Sequence, residues 1–175
     1  MDFVDIVDGK LSVDEISDMV SSPSCGAVSV FIGTTRDNFN GNQVLRLEYE
    51  AYIPMAKKKL LEVCASIRQK WNVHKIAIFH RIGVVHVKEA SIIIAISSVQ
   101  RKESLDAVQY AIDTVKVDVP IWKKEVYGDE SSSWKENKEW VKGYEVPAND
   151  DVTRPLGTSD CHHDQYKQSS LTEKL

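Results

Sequence analysis

Cysteine is scarce in this chain of 175 residues, and its three cysteines, Cys25, Cys64 and Cys161, lie far apart. An odd number of widely spaced thiols does not form the disulfide framework of small secreted proteins, so reduced cysteines are predicted. The longest aliphatic run, Ile92–Ile96, is much shorter than the roughly 20 residues of a membrane-spanning helix. The start, Met1–Asp5, is acidic and lacks the basic and apolar segments of a signal peptide. These absences predict a soluble protein of the cytosol.

An excess of basic charge is also missing. The chain has 22 Lys and Arg against 26 Asp and Glu, a formal net charge of −4. Broad binding to nucleic acid or to an acidic membrane needs a basic surface, so neither partner is expected. With 42% hydrophobic and 27% charged residues, the chain can bury a substantial core.

Familiar catalytic motifs are absent. The sequence has no glycine-rich phosphate loop, no nucleophile elbow and no Cys-x-x-Cys pair. Cys161, His162 and His163 are adjacent, but no second ligand pair stands at zinc spacing, so no metal site is predicted. His80 and His86 flank Gly83 and are interpreted as structural or surface histidines.

Helical and alternating patterns predict the first elements. Ser12 and Glu15 form a capping box for a short helix at about 12–21. Residues 26–33 form a strand bounded by glycines, and the pair Asn40 and Gly41 is a strong turn signal. Apolar and polar residues then alternate along 45–52, which predicts a half-buried strand with Leu45, Leu47, Tyr49 and Ala51 on one face. If the turn closes as a hairpin, this strand is antiparallel to the first.

Two long helices and three more strands follow. The helices cover about 54–70 and 103–117; the inward residues predicted for the second are Leu105, Val108, Ile112 and Val115. Strands are predicted at 75–79, 84–87 and 91–98. Several connections are too short for parallel crossovers, so the fold class is α+β, a mostly antiparallel sheet with two long helices packed on it. Residues 1–140 form the folded domain, and the polar residues 141–175 are predicted to be a disordered tail.

Cationic side chains occur at strand and helix ends in this acidic chain. They are Arg36 after the first strand, Arg101 and Lys102 at a helix start, Lys116 at its end, and Lys123 and Lys124 beyond Pro120. Such ends tend to converge, and a helix N-terminus adds free N–H donors. The pattern favours a pocket for a phosphate-bearing or other anionic small molecule. The alternative is that these are ordinary solvated charges.

Several segments, in order, resemble the large, catalytic subunit family of molybdopterin synthases. They span about Gly26 to Trp134: Phe31–Arg36, Leu47–Tyr52, Phe79–Gly83, Ser97–Arg101, Asp113–Lys116 and Pro120–Glu125. The form Pro-Ile-Trp-Lys-Lys-Glu is similar to eukaryotic members.

The resemblance implies a sulfurtransferase of molybdenum cofactor biosynthesis. Such an enzyme installs two sulfurs on cyclic pyranopterin monophosphate to form the dithiolene of molybdopterin. Sulfur arrives as a thiocarboxylate on the C-terminal Gly-Gly of a small ubiquitin-like subunit. The large subunit forms a homodimer, the core of a heterotetramer, and no cofactor or metal is expected.

The resemblance also implies the site residues. Catalysis falls to Lys116 and Lys123. Substrate binding falls to Thr34, Thr35, Arg36, Gln100, Arg101, Lys116, Lys123, Lys124 and Glu125. Many family members have His immediately before the arginine, where this chain has Gln100. Glutamine forms hydrogen bonds but does not titrate near neutral pH, so a positioning role is predicted there rather than proton transfer.

Two other functions stay open from sequence alone. One is a non-catalytic relative that serves as an interaction module, with the tail as its binding segment. Gln100 favours this function, whereas the retained lysines and arginines argue against it. The other is a different enzyme on the same scaffold, acting on another phosphorylated heterocycle.

Overall fold

A computed structural model describes residues 1–128 and 131–135, with only the backbone of Lys135. The boundary at 140/141, the predicted disorder of 141–175 and the tract Cys161–His163 therefore lie outside the described residues. Among the described helices, none combines the length and hydrophobicity needed to cross a bilayer.

The architecture of the described part is α+β. The chain order is β1 (Asp2–Val7), α1 (Val13–Val20), β2 (Ala27–Thr34), β3 (Asn38–Phe39), β4 (Asn42–Ala51), α2 (Ile53–Lys70), β5 (Val73–Arg81), β6 (Gly83–His86), β7 (Ala90–Ser98), α3 (Arg101–Asp118), β8 (Ile121–Tyr127) and β9 (Ser132–Lys135). The two predicted long helices are present at 18 residues each. The short predicted helix is also present, as α1. The Ser12 hydroxyl caps it by accepting a hydrogen bond from the Glu15 N–H.

The strands form two sheets rather than one, and the first is mixed. Its order is β1-β5-β7-β2, with β1 parallel to β5 and the other neighbours antiparallel. The prediction of a mostly antiparallel sheet was therefore only partly right. A parallel pair needs a long crossover, and the whole segment from α1 to α2 lies between β1 and β5.

The second sheet has the order β3-β4-β8-β9, and β6 also pairs with β4. Asn40 and Gly41 form the predicted turn, with φ of 51° and 86°, the positive values that suit a tight hairpin. The hairpin joins β3 to β4, however, and not β2 to β4 as predicted. β2 pairs with β7 in the first sheet, because the chain leaves that sheet after Thr34.

A β-bulge changes which residues of β4 are buried. Pairing with β8 shifts register between Val44 and Arg46, so the alternation reverses across Leu45. Val44 is buried and Leu45 is 40% exposed. The prediction that Leu45 shares the inner face with Leu47 and Tyr49 was wrong.

The main core lies between the first sheet and the two long helices. Five residues of α2 are buried there: Ala56, Leu60, Val63, Cys64 and Ile67. On α3 the buried stripe begins at Ser104, whose hydroxyl lies 2.8 Å from that of Ser29 on β2. Leu105, predicted to point inward, is 57% exposed. Small residues at Ala107 and Ala111 let the helix lie close to the sheet.

Candidate active site

A cavity of about 520 Å³ lies where the two sheets meet the end of α3. Its walls come from β2, β3, β4, the ends of β5 and β7, the last turns of α3 and the start of β8. Gly33 is required at this wall, because a Cβ there would lie only 2.6 Å from Cγ2 of Ile92 on the paired strand. The volume suits a small-molecule reactant.

Three cations from three different segments line this cavity: Arg36, Lys116 and Lys123. Arg36 follows the end of β2, where the chain leaves the first sheet. Lys116 stands in the last turn of α3, and Lys123 lies on β8, just beyond Pro120. Proline cannot continue a helix, so the chain turns there and brings the second lysine back to the same cavity. Of the cations in the predicted pattern, these three converge on the cavity, whereas Arg101, Lys102 and Lys124 do not line it.

A carboxylate balances part of this positive charge. Glu125 lies two residues after Lys123 on the same face of β8, lines the cavity and is only 4% exposed. The Tyr127 hydroxyl donates a hydrogen bond of 2.6 Å to its Oε2. A buried carboxylate that is hydrogen-bonded in this way is a fixed acceptor inside the site.

Other predicted residues stand beside the cavity or away from it. Thr34 lines it, whereas Thr35 is 3% exposed and binds the β6–β7 turn, where its N–H donates to Glu89 and its carbonyl accepts from Lys88. The Thr35 hydroxyl is buried without a hydrogen-bond partner among the described residues. Lys124 alternates with Lys123 on β8, so its side chain lies on the opposite face.

Gln100 and Arg101 lie at the other end of α3 from Lys116. Gln100 is the N-cap residue, and neither residue lines the cavity. Fifteen residues of helix separate Arg101 from Lys116, which is roughly 22 Å at 1.5 Å per residue. Within one chain, Arg101 therefore lies away from the two lysines, although the resemblance places all three among the site residues.

The cavity also contains residues that the sequence analysis did not assign to it: Tyr49, His80 and Ser91. The Tyr49 and His80 rings meet edge to face, with centroids 5.0 Å apart. Burial raises the pKa of Tyr49 and lowers the pKa of His80 to about 4. The sequence analysis interpreted His80 as a structural or surface histidine; the structure shows it buried and lining the cavity. Its position within the family-like segment Phe79–Gly83 was the available signal.

Among the described residues, no group of three or more His, Cys, Asp or Glu side chains is placed to hold a metal ion. The polar groups that line the cavity are cations, hydroxyls, one carboxamide, one imidazole and one carboxylate. Cations that converge on one cavity can bind anions and stabilise negative charge that develops during a reaction.

Fold and cavity together define an α+β protein with a cation-lined site for an anionic small molecule. A family model described as MoaE protein matches residues 6–118. The chain belongs to the MoaE protein family.

Known relatives agree with this assignment. The human molybdopterin synthase catalytic subunit is 61% identical over 138 residues, 79% of this chain and 73% of that protein. A crystal structure of molybdopterin synthase from Staphylococcus aureus matches with TM-score 0.71 and 40% identity, covering 74% of this chain and 94% of that one. A complex of subunits 1 and 2 of molybdopterin-converting factor from Helicobacter pylori matches with TM-score 0.64 and 20% identity, covering 77% of this chain and 91% of that one. At this identity the likeness concerns the fold alone.

Proposed function

We propose that this chain works as the catalytic subunit of a molybdopterin synthase, a sulfurtransferase of molybdenum cofactor biosynthesis. It moves sulfur from the C-terminal thiocarboxylate of a small ubiquitin-like subunit to cyclic pyranopterin monophosphate, forming the dithiolene. Family membership and the names of the relatives support the activity. The observation that carries the mechanism is the convergence of Arg36, Lys116 and Lys123 on one cavity.

The charges of the two reactants explain why the site is cationic. The precursor carries a cyclic phosphate and the partner carries a thiocarboxylate, so two anions must approach each other. Three cations around one cavity offset their repulsion and stabilise the charge that develops as sulfur attacks and a phosphate oxygen leaves. Lys123 lies on β8, whereas Arg36 and Lys116 are exposed side chains on a loop and at a helix end, so all three are accessible to the reactants.

The two lysines have separate roles in this proposal. Lys116 exchanges protons with the reacting groups or engages the acyl or carbonyl carbon transiently, from its position at the end of α3. Lys123, half-buried on β8 beside Glu125, orients the tail and the precursor. Arg36 and Thr34, at the end of β2, are suited to the phosphate because a guanidinium binds it through two parallel hydrogen bonds.

A second copy of the chain would supply Arg101 and Gln100. β2 is an edge strand, and its residues Val28, Val30 and Ile32 are 38–41% exposed in a row on one face. Such an apolar edge is suited to pairing with another strand. If two copies pair their β2 strands antiparallel about a two-fold axis, the start of each strand lies beside the end of the other.

That pairing completes the site. Gly26 at the start of β2 donates a backbone hydrogen bond of 3.2 Å to Val99, so Gln100 and Arg101 adjoin this end of the strand. They would then lie beside the partner subunit's Arg36. Each cavity would combine Lys116 and Lys123 of one protomer with Arg101 of the partner subunit. The homodimer is thus part of the catalytic proposal.

A small partner subunit delivers the sulfur. Cys64 is buried, and Cys25 carries no activating motif, so neither is suited to be a sulfur donor. The Helicobacter pylori neighbour, which shares the fold, was solved as a complex of two subunits. We place the protein in the cytosol, where a small thiocarboxylated protein and reduced cysteines coexist.

The decisive experiment is reconstitution. The purified chain is mixed with a thiocarboxylated small subunit and cyclic pyranopterin monophosphate, and molybdopterin is measured after oxidation to a fluorescent derivative. We expect product only when all three components are present. Binding of the small subunit without product would favour an interaction module, and failure to bind the precursor would favour another phosphorylated heterocycle as substrate.

A further inference from the structure

His80 presents an imidazole to the cavity in one fixed tautomer. It is the eighth residue of β5, opposite Ile92 of β7, and only 6% of its surface is exposed. Its Nδ1 lies 2.8 Å from the backbone carbonyl oxygen of Arg81. A carbonyl oxygen only accepts hydrogen bonds, so Nδ1 must carry the proton. The remaining nitrogen, Nε2, is then an acceptor without a proton.

The surroundings keep this ring neutral and hold it still. Burial lowers the pKa of His80 to about 4, so the imidazole is uncharged at neutral pH. The Tyr49 ring contacts it at 72°, and the bond to Arg81 fixes the rotation about its outer torsion. Ser91, next to Ile92, donates a hydrogen bond to the Gly33 carbonyl and borders the same wall. A neutral, oriented imidazole therefore lines a cavity that also displays three cations.

A site lined by cations must also supply acceptors for the N–H groups of a reactant, and hydroxyls and the Asn38 carboxamide are among those in this cavity. Arg36, Lys116 and Lys123 only donate hydrogen bonds. Among the charged and imidazole side chains that line the cavity, the acceptors are the Glu125 carboxylate and His80. A reactant with both a negative group and N–H groups would need each kind of protein group. A carboxylate in place of His80 would add a negative charge beside the phosphate or thiocarboxylate, whereas a neutral imidazole accepts without that repulsion.

Resting on the proposed function, we propose that His80 is a binding residue whose Nε2 accepts a hydrogen bond from an amide-like N–H group of a reactant. Two reactants carry such a group: the pterin ring of the precursor and the glycine amides of the small subunit's tail. The role is one of orientation, with no proton exchanged, because the imidazole is held as a neutral acceptor.

Two substitutions separate binding from a purely structural role. In His80→Gln, the side-chain oxygen reaches the position of Nε2 and restores the acceptor. In His80→Asn, the shorter amide can still donate to the Arg81 carbonyl but does not reach into the cavity. His86→Asn, at an exposed histidine on β6 outside the cavity, is the matched control. The measurement is kcat and KM for the precursor and for the thiocarboxylated subunit separately.

We expect His80→Asn to raise one KM about tenfold, the order expected for an N–H left without its acceptor, while kcat changes less. His80→Gln should recover most of that loss, and His86→Asn should match wild type. A rise in the KM for the precursor identifies the pterin ring as the donor; a rise in the KM for the subunit identifies its tail. If Asn performs as well as or better than Gln, His80 is structural and the proposal is overturned.

A second measurement does not depend on turnover. Nitrogen-15 NMR of the imidazole should show Nδ1 protonated and Nε2 unprotonated, without titration between about pH 5.5 and 8. Adding cyclic pyranopterin monophosphate, or the tail peptide ending in Gly-Gly, should shift the Nε2 resonance in one of the two cases. An Nε2–H tautomer, titration near the ordinary histidine pKa, or no shift with either ligand would overturn the proposal. Absence of product from the wild-type protein would instead count against the proposed function.

Discussion

Lys116 and Lys123 reach one cavity because Pro120 separates the end of a helix from the start of a strand. Each lysine owes its place to a backbone feature that does not involve its own charge. Replacing either side chain should therefore leave the fold intact and remove only what its ammonium group does in the site.

Lys116→Ala should fold, dimerise and bind the small subunit, yet lose most of its activity. Losing one preorganised charge-stabilising group typically costs about 3–4 kcal/mol in the transition state, or roughly 10²–10³ in kcat. Lys58→Ala is the control, since Lys58 is exposed on α2 and lies outside the cavity. Turnover is measured alongside thermal unfolding. Near-normal turnover of Lys116→Ala would contradict the mechanism and favour the interaction module.

His80 should make stability depend on pH. Its pKa is about 4 in the folded chain against 6.5 when unfolded, so between these values only the unfolded state is protonated. The unfolded state then binds more protons, and the free energy of unfolding falls as pH drops from about 6.5 to 4. The full effect is about 3 kcal/mol. His80→Gln should lack it.

Denaturant titrations of both proteins at a series of pH values test this prediction. Glu89 does not confuse the comparison, because its pKa is lowered to about 2, chiefly by a hydrogen bond with Lys10, so its contribution is lost only below about pH 4.5. Equal pH dependence of wild type and His80→Gln between 6.5 and 4 would show that His80 titrates normally.

The cysteines should be dispensable for sulfur transfer. Burial raises the pKa of Cys64 to about 12, which keeps its thiol protonated and unreactive. The triple variant Cys25→Ser, Cys64→Ala, Cys161→Ser should keep kcat within about twofold when thiocarboxylated partner is supplied, with some loss of stability from the cavity at 64. Molybdopterin formation is the measurement. Abolished turnover in a folded triple variant would mean that a thiol carries sulfur.

At the level of secondary-structure elements, the β-bulge in β4 decides which side chains face the cavity. Val44→Ala should cost about 1–2 kcal/mol, because it removes buried methyl groups. Leu45→Ala should stay within about 0.5 kcal/mol, because its side chain is largely exposed. Denaturant midpoints of the two variants give the comparison. If Leu45→Ala were the more damaging change, strict alternation without the bulge would be correct.

Periodicity predicted elements better than it predicted their pairing. α2 was recognisable because its buried residues recur at helical spacing and Pro54 stands in its first turn. β1 was missed because it is short and carries Asp2 and Asp5, whose ion-pair partners Arg68 and Lys57 are more than 50 residues away. Long-range pairing of this kind leaves no local pattern, and neither does a bulge.

The family resemblance and the expected convergence of strand ends identified the residues of the site. Neither could give the distances between those residues. The three cavity cations were all on the predicted list. The predicted length of the helix alone would have shown that Arg101 and Lys116 of one chain lie far apart. Tyr49 was treated as a strand residue and His80 as a structural or surface histidine, because their neighbours across the sheets were unknown.

At the level of the whole molecule, the shared site predicts complementation between two inactive variants. Lys116→Ala and Arg101→Ala homodimers should each be impaired at both sites. A mixed dimer has one site that combines an intact Lys116 with an intact Arg101 of the partner subunit. Random mixing of the two chains should therefore restore about one quarter of wild-type activity. The assay is molybdopterin formation after joint unfolding and refolding, with Lys58→Ala in place of Arg101→Ala as the control.

Activity that simply averages the two parents would mean that each protomer uses only its own residues. Separately, Val30→Asp places a charge in the middle of the exposed β2 stripe and should yield monomers by analytical ultracentrifugation. If the Val30→Asp variant remains a dimer, the interface between the two copies does not include the exposed face of β2.

The parallel pairing of β1 with β5 also constrains the order in which the chain folds. β1 ends at Val7 and its partner begins at Val73, so closing this contact gathers a loop of more than 60 residues. Loop-closure entropy makes such a contact late, after the local β5–β7 and helix contacts have formed. During synthesis, residues 2–7 leave the ribosome long before any partner strand exists. Once β5 has been made, its edge stays bare until β1 pairs with it, and during this interval the nascent chain is most open to pairing with another molecule.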